Sequence, residues 1–249
     1  MKRGQKRHGS GFGATGALMI MISLCFSCNS QIKPGMDEYT THRYNMVEDQ
    51  IIARGVRDKK VLNAMKKVER HLFVPPSLRA DAYGDFPLPI GNDQTISQPY
   101  IVAFMTEALH LSGDEKVLEV GTGSGYQAAV LAEICDSVFT IEIIESLGIK
   151  AQKLLSELGY RNVFVKIGDG YQGWPEHAPY DAIMATCSPS HVPEPLEEQL
   201  AEGGYMIIPV GKKYYQELVL MRKKDGRLTM DDVLSVRFVP MVNKGGGEY

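Results

Sequence analysis

Gly121, Gly123 and Gly125 stand in Val117-Leu-Glu-Val-Gly-Thr-Gly-Ser-Gly125, between a β-rich run and a helical one. Glycine permits positive φ and lets a ligand reach the backbone, while the next helix offers free N–H donors at its start. Glu142 ends the following β-rich run, about 20 residues on, where an acid can accept both hydroxyls of a ribose. Gly168-Asp169-Gly170 closes the run after that. Each feature alone has a plainer reading: a tight turn, a solvated acid at a strand end. Together they outline an anion- and sugar-binding edge. The third glycine of a nicotinamide fingerprint is absent, because Tyr126 stands there.

Ser97 lies two residues before Pro99, ahead of a helical pattern at Tyr100–Leu111. Its hydroxyl could orient a substrate carboxylate, or it could cap the helix, as serine often does. His71, His110 and His177 are scattered and read as surface residues; His191, after the fourth β-rich run, has a place near a ligand edge. Trp174 reads as a packing residue. Cys187 has no basic neighbour to activate it and reads as a small buried side chain. No histidine–acid pair and no metal-ligand cluster accompanies these motifs, so no metal is expected.

The elements that must position these residues alternate from Lys116 onward. β-rich runs fall at 116–120, 137–143, 162–167, 180–186, 204–210, 217–222 and 234–239, with helices near 125–134, 146–158 and 195–201. Apolar runs such as Val117-Leu-Glu-Val120 suit strands covered on both faces, which predicts an α/β sheet, parallel at first. The last two runs are joined without a helix through Asp225-Gly226, a hairpin signal, so the sheet is expected to end antiparallel. Two further helices are predicted before the sheet, at Tyr44–Val56 and behind Asp58 at Asp58–Val68. Residues 74–99 read as irregular.

A length of 249 residues, 44% hydrophobic and 23% charged, fits one globular domain and excludes a disordered or fibrous chain. Residues 1–35 hold Lys2, Arg3, Lys6, Arg7 and Lys33 and no acid; the net charge of −3 therefore leaves −8 on the remainder. So acidic a body makes nucleic acid an unsuitable partner. The apolar run Ala17–Phe26 is too short to span a membrane. It has the form of a secretory signal, with Cys28 as a candidate lipid attachment; a misassigned start, with Met36 or Met46 the true one, is the alternative. Residues 1–35 are set apart, and 36–249 are expected to form a single domain.

The glycine loop with Glu142 and Asp169 resembles the class I S-adenosylmethionine-dependent methyltransferases. Leu88-Pro-Ile-Gly-Asn-Asp-Gln-Thr-Ile-Ser-Gln-Pro99, Gly168-Asp-Gly170 and Val236-Arg-Phe-Val-Pro240 are more closely similar to the protein-L-isoaspartate O-methyltransferases, over roughly 47–242. That resemblance implies a Rossmann-like, doubly wound α/β fold: a mostly parallel seven-stranded sheet with an antiparallel terminal strand and extra N-terminal helices. It implies S-adenosyl-L-methionine as cofactor, held at Glu119, Gly121, Thr122, Gly123, Gly125, Glu142, Asp169, Gly170 and Gln216. Within that set Glu142 would take the ribose and Asp169 the adenine amino group, and Ser97 falls on the family's active-site serine. The partners implied are isoaspartyl-containing proteins and peptides, with D-aspartyl residues as an alternative substrate. Competing readings are a small-molecule methyltransferase and an exported, non-catalytic nucleoside-binding lipoprotein. A monomer is expected, and the cytoplasm, where the cofactor is made; export with lipid on Cys28 is the alternative.

Overall fold

The computed structural model describes residues 37–212 and 215–249; the signal, lipoprotein and alternative-start readings of 1–35 fall outside them. Asp37 opens the first helix, α1 (Glu38–Asn45), by accepting the Thr40 N–H at 2.9 Å. The helix continues as a π-type turn over Met46–Ile51 and a 3₁₀ turn to Arg54, and Gly55 ends it at φ 101°. It therefore starts six residues before the predicted Tyr44. The polar sequence of α1 gives no apolar period from which to read a helix, and the cap is the only local signal. Asp58 caps α2 (Lys59–Lys67) as the sequence indicates, accepting from Lys60 N–H and Val61 N–H.

The stretch predicted to be irregular contains a small hairpin, β1 (Leu88–Gly91) with β2 (Gln94–Ile96). Its two-residue turn, Asn92-Asp93, has φ of 53° and 57°, the left-handed pair that such hairpins need. Helix α3 (Pro99–Ala108) follows.

The main sheet comprises β3 (Lys116–Val120), β4 (Ser137–Glu142), β5 (Val163–Ile167), β6 (Tyr180–Ala185), β7 (Leu200–Lys212), β8 (Tyr215–Lys224) and β9 (Arg227–Val236). Their order is β5-β4-β3-β6-β7-β8-β9, parallel from β5 to β7 and antiparallel at β7–β8 and β8–β9. The reversed strand is thus the next-to-last, β8, and β9 returns to the direction of the parallel set. Asp225 and Gly226 make the β8–β9 turn at φ 53° and 68°.

Alternate residues feed two cores. Val117, Val138, Ala182 and Met184 pack beneath the N-terminal helices, α3 and α4 (Tyr126–Ala132), with Leu155 of α5 (Glu145–Glu157). Leu118, Phe139, Ile141 and Ile183 face the other side, with Leu196 of α6 (Glu194–Gln199). Buried apolar side chains each contribute roughly 1.5–3 kcal/mol, so a register slip in any strand would be prohibitive. The carboxyl ends of β3, β4, β5 and β6 consequently share one edge. Among the described residues, no helix is long and apolar enough to cross a membrane.

Candidate active site

That edge is organised around the turn after β3. Gly121 N–H and Thr122 N–H both donate to Ile141 O, at 2.8 and 3.2 Å, which ties the loop to β4. Gly121 sits at φ 100°, and a Cβ there would lie 2.4 Å from the Thr186 hydroxyl. Gly125, at φ 87°, serves packing instead: a Cβ would crowd Leu155 at 3.1 Å. Glu142, nearly buried, accepts Gly123 N–H (2.7 Å) on one oxygen and Ile144 N–H (2.9 Å) on the other. Burial raises its pKa while these N–H donors pull it down. Each carboxylate oxygen keeps a second lone pair for an incoming hydroxyl.

Below the loop lies Glu119, 0% exposed. Its Oε2 accepts the Thr140 hydroxyl at 2.5 Å, Thr140 also meets Thr122 Oγ1 at 2.6 Å, and Oε1 has no partner. Burial pushes its pKa up to about 8. The Thr122 hydroxyl is therefore committed to this buried chain. Gly170 hugs β3, since a Cβ would lie 2.4 Å from Val120. Asp169 caps its own turn through Tyr171 N–H (3.1 Å), and its other oxygen accepts the Tyr249 hydroxyl. Tyr249 stacks on Tyr171 with ring centroids 4.1 Å apart.

Two main cavities open along this edge, with a small one of about 30 Å³ between them that Ser97, Glu119 and the glycine loop line together. The first is lined by Gly121, Gly123, Glu142, Gly170 and the tail residues Val239–Val242. The second, about 570 Å³, is lined by Ser97, Gln98, Ile101, Tyr215, Gln216 and Arg237, among others. Thr95, Thr186 and Val239 belong to both walls, so the cavities meet there.

Ser97 does not cap α3. Gln98 occupies the N-cap position, with its amide donated to Asp85, and no hydrogen bond to the Ser97 hydroxyl occurs among the described residues. Gln216 lies in the Ser97 cleft, away from the glycine loop; its amide is spent on Phe238, donating to O at 3.1 Å and accepting N–H at 2.6 Å. His71 is buried rather than exposed, stacked on Tyr39 at 4.0 Å with Nδ1 2.8 Å from the Tyr83 hydroxyl. His110 and His177 are exposed. His191 is exposed too, paired with the Tyr171 hydroxyl at 2.9 Å. Trp174 packs edge-on to Phe139, and burial pushes the Cys187 thiol pKa up, away from thiolate chemistry. Thr95, Thr186, Arg237 and Tyr249 were not foreseen. The Leu88–Pro99 and Val236–Pro240 resemblances pointed to their neighbourhoods without assigning them roles.

Fold and site together define a Rossmann-like methyltransferase. The sequence profile described as protein-L-isoaspartate(D-aspartate) O-methyltransferase matches residues 41–246, and the chain belongs to that family. The chain is 51% identical over 213 residues to protein-L-isoaspartate O-methyltransferase 1 of Syntrophobacter fumaroxidans, covering 86% of this chain and all of that one. A Picosynechococcus protein-L-isoaspartate O-methyltransferase is 57% identical over 199 residues, 80% of this chain and 89% of its own. A solved protein-L-isoaspartate O-methyltransferase superimposes with TM-score 0.74 at 31% identity, over 83% of this chain and 67% of that one. A Plasmodium falciparum structure assigned to the same activity, in complex with S-adenosyl-L-homocysteine, gives 0.71 at 27% identity, over 81% and 98%.

Proposed function

We propose that this chain transfers a methyl group from S-adenosyl-L-methionine to the free carboxylate of L-isoaspartyl residues in damaged proteins and peptides, with residues 36–249 as one catalytic domain. The observation that carries the reading is the meeting of two cavities at Thr95, Thr186 and Val239, with the glycine loop and Glu142 on one side and the unpaired Ser97 hydroxyl on the other. Family membership supports it.

The residues present suit the cofactor. The Glu119 oxygen left without a partner is an acceptor for an ammonium group, and the glycines leave room where a Cβ would close the cradle. Glu142 offers its remaining lone pairs to the ribose hydroxyls, and Asp169 accepts from the adenine amino group. The glycine-lined cavity encloses only about 60 Å³, below the roughly 300 Å³ at which small-molecule pockets begin. The Val239–Val242 wall therefore has to give way as the nucleoside enters.

When bound, S-adenosyl-L-methionine supplies a methyl carbon already activated by its sulfonium. The substrate carboxylate has a pKa near 4 and is ionised at neutral pH, so the protein need not remove a proton. The task left to the chain is alignment: one carboxylate oxygen must be held in line with the departing sulfur, about 3 Å from the carbon. Ser97 donates its hydroxyl to the substrate carboxylate and fixes that oxygen beside the shared wall. The walls at Thr95 and Val239 exclude water there and strip solvent from the nucleophile. Because the cofactor is a cytoplasmic metabolite, the reading also places the working enzyme in the cytoplasm, acting as a monomer on exposed peptide segments.

The test uses labelled S-adenosyl-L-methionine and two peptides differing only in isoaspartate or aspartate at one position. Base-labile label on the isoaspartyl peptide alone is expected. Cofactor binding without labelling of either peptide would overturn the substrate; absence of cofactor binding would overturn the enzyme.

A further inference from the structure

The Ser97 cleft contains a single cationic side chain among its described lining residues, Arg237. It is the first residue beyond β9, and its backbone is fixed on both sides. Val236 pairs with Gln216 in the β8–β9 ladder, and Phe238 is gripped by both ends of the Gln216 amide. Gln216 is itself only 3% exposed. The brace seats Val236 and Phe238 against the core, which leaves Arg237 between two anchored neighbours. The Arg237 side chain nevertheless makes no hydrogen bond or ion pair with any described residue, although the Glu217 carboxylate lines the same cleft; Glu217 accepts the Ser235 hydroxyl at 2.8 Å instead. The Arg237 backbone is thus held in place, and its guanidinium is exposed at the cleft and left without an anion among the described residues.

We infer that Arg237 is a substrate-binding residue, whose guanidinium pairs with the carboxylate of the peptide lying in the Ser97 cleft. This rests on the methyltransferase reading above. A guanidinium matches a carboxylate with two parallel N–H donors, a geometry that lysine does not reproduce. Such a pair spans both carboxylate oxygens, the attacking one included, and would blunt its nucleophilicity; it therefore belongs to capture of the peptide and loosens before methyl transfer, when Ser97 holds the aligned oxygen. Arg237 therefore acts on KM, and Ser97 on kcat.

Full-length Arg237→Gln and Arg237→Lys proteins separate these roles. With an isoaspartyl peptide, Arg237→Gln is expected to raise KM by about five- to ten-fold, with kcat within about two-fold, as removal of a solvent-exposed charged contact should. Salt should lower kcat/KM of the wild type more than that of Arg237→Gln, because the attractive charge in the cleft is gone. Arg237→Lys should keep the salt dependence while restoring only part of KM. The Kd for S-adenosyl-L-homocysteine should match in all three. An unchanged KM and salt slope in Arg237→Gln would overturn the inference while leaving the methyltransferase reading intact. So would a parallel loss of S-adenosyl-L-homocysteine affinity, which would make Arg237 a prop for the Val239 wall. A wild type that binds cofactor but labels no isoaspartyl peptide would overturn the functional reading and this one with it.

Discussion

The two cavities that meet at Thr95, Thr186 and Val239 are built in opposite ways. Around the glycine loop the polar groups are already engaged, Glu119 Oε1 excepted: Glu142 by two backbone N–H groups, Thr122 by Thr140, Asp169 by Tyr171 and Tyr249. In the other cavity Ser97 and Arg237 have no partner among the described residues. One half is preorganised by backbone and burial; the other presents idle side chains to whatever arrives. A pocket for one invariant small molecule can fix its polar groups in advance even where one wall must move, whereas a cleft for many peptide sequences must leave its donors free and draw selectivity from a few of them.

The sharpest way to break this contrast is Glu142→Ala. Loss of two charge-assisted backbone contacts and the ribose acceptor should weaken S-adenosyl-L-homocysteine binding by about 100-fold or more, measured by calorimetry. Glu142→Gln, which retains one acceptor, should fall between. Ser97→Ala comes next: kcat is expected to drop about 10- to 100-fold with cofactor Kd unchanged, as for a nucleophile that loses its alignment. Since Ser97 caps no helix, its melting temperature should stay within about 2 °C of wild type. Equal losses of binding and turnover in this variant would erase the division between the halves.

Glu119 sharpens the contrast through pH. Its folded pKa, near 8, stands above the ordinary glutamate value. Its contribution to stability is therefore fully present below about pH 4.5 and lost as pH rises through about 8. The wild-type melting temperature should fall across this window relative to Glu119→Gln. A cationic cofactor favours the ionised carboxylate, so S-adenosyl-L-methionine should bind more tightly from pH 6 to 8, by at most about tenfold per pH unit, with release of up to one proton. Glu119→Gln should abolish this dependence. The smallest effect is expected from Gln216→Ala, which frees Phe238: a KM increase of about two- to five-fold for peptide, with cofactor affinity unchanged, and a melting temperature lower by about 2–4 °C for each kcal/mol of packing lost.

The preorganised half was also the legible one. A glycine loop, an acid at a strand end and an acid after the next strand arise from consecutive β-α units, so their spacing in sequence mirrors their spacing along the sheet edge. The α/β alternation was readable for the same reason, because each strand is a short apolar run bounded by turn residues. The start of α1 was hidden by its polarity, and the β1–β2 hairpin by Pro89 and an Asn-Asp turn in place of the commoner Asn-Gly. Thr186 and Tyr249 could not be read at all, and Arg237 only as part of a motif without a role, since the fold brings them to residues 95–98 and 169 from far along the chain. Buried His71 escaped because aromatic stacking on Tyr39 leaves no local pattern.

The wall formed by Val239–Val242 closes the glycine-lined cavity, yet every other residue lining it lies between 94 and 187. As the chain is synthesised, the parallel core can assemble while the cavity still lacks a side. A nascent polypeptide that has exposed only β3 to β6 therefore has a cradle with one side open, and that side is supplied only by a segment made after β9.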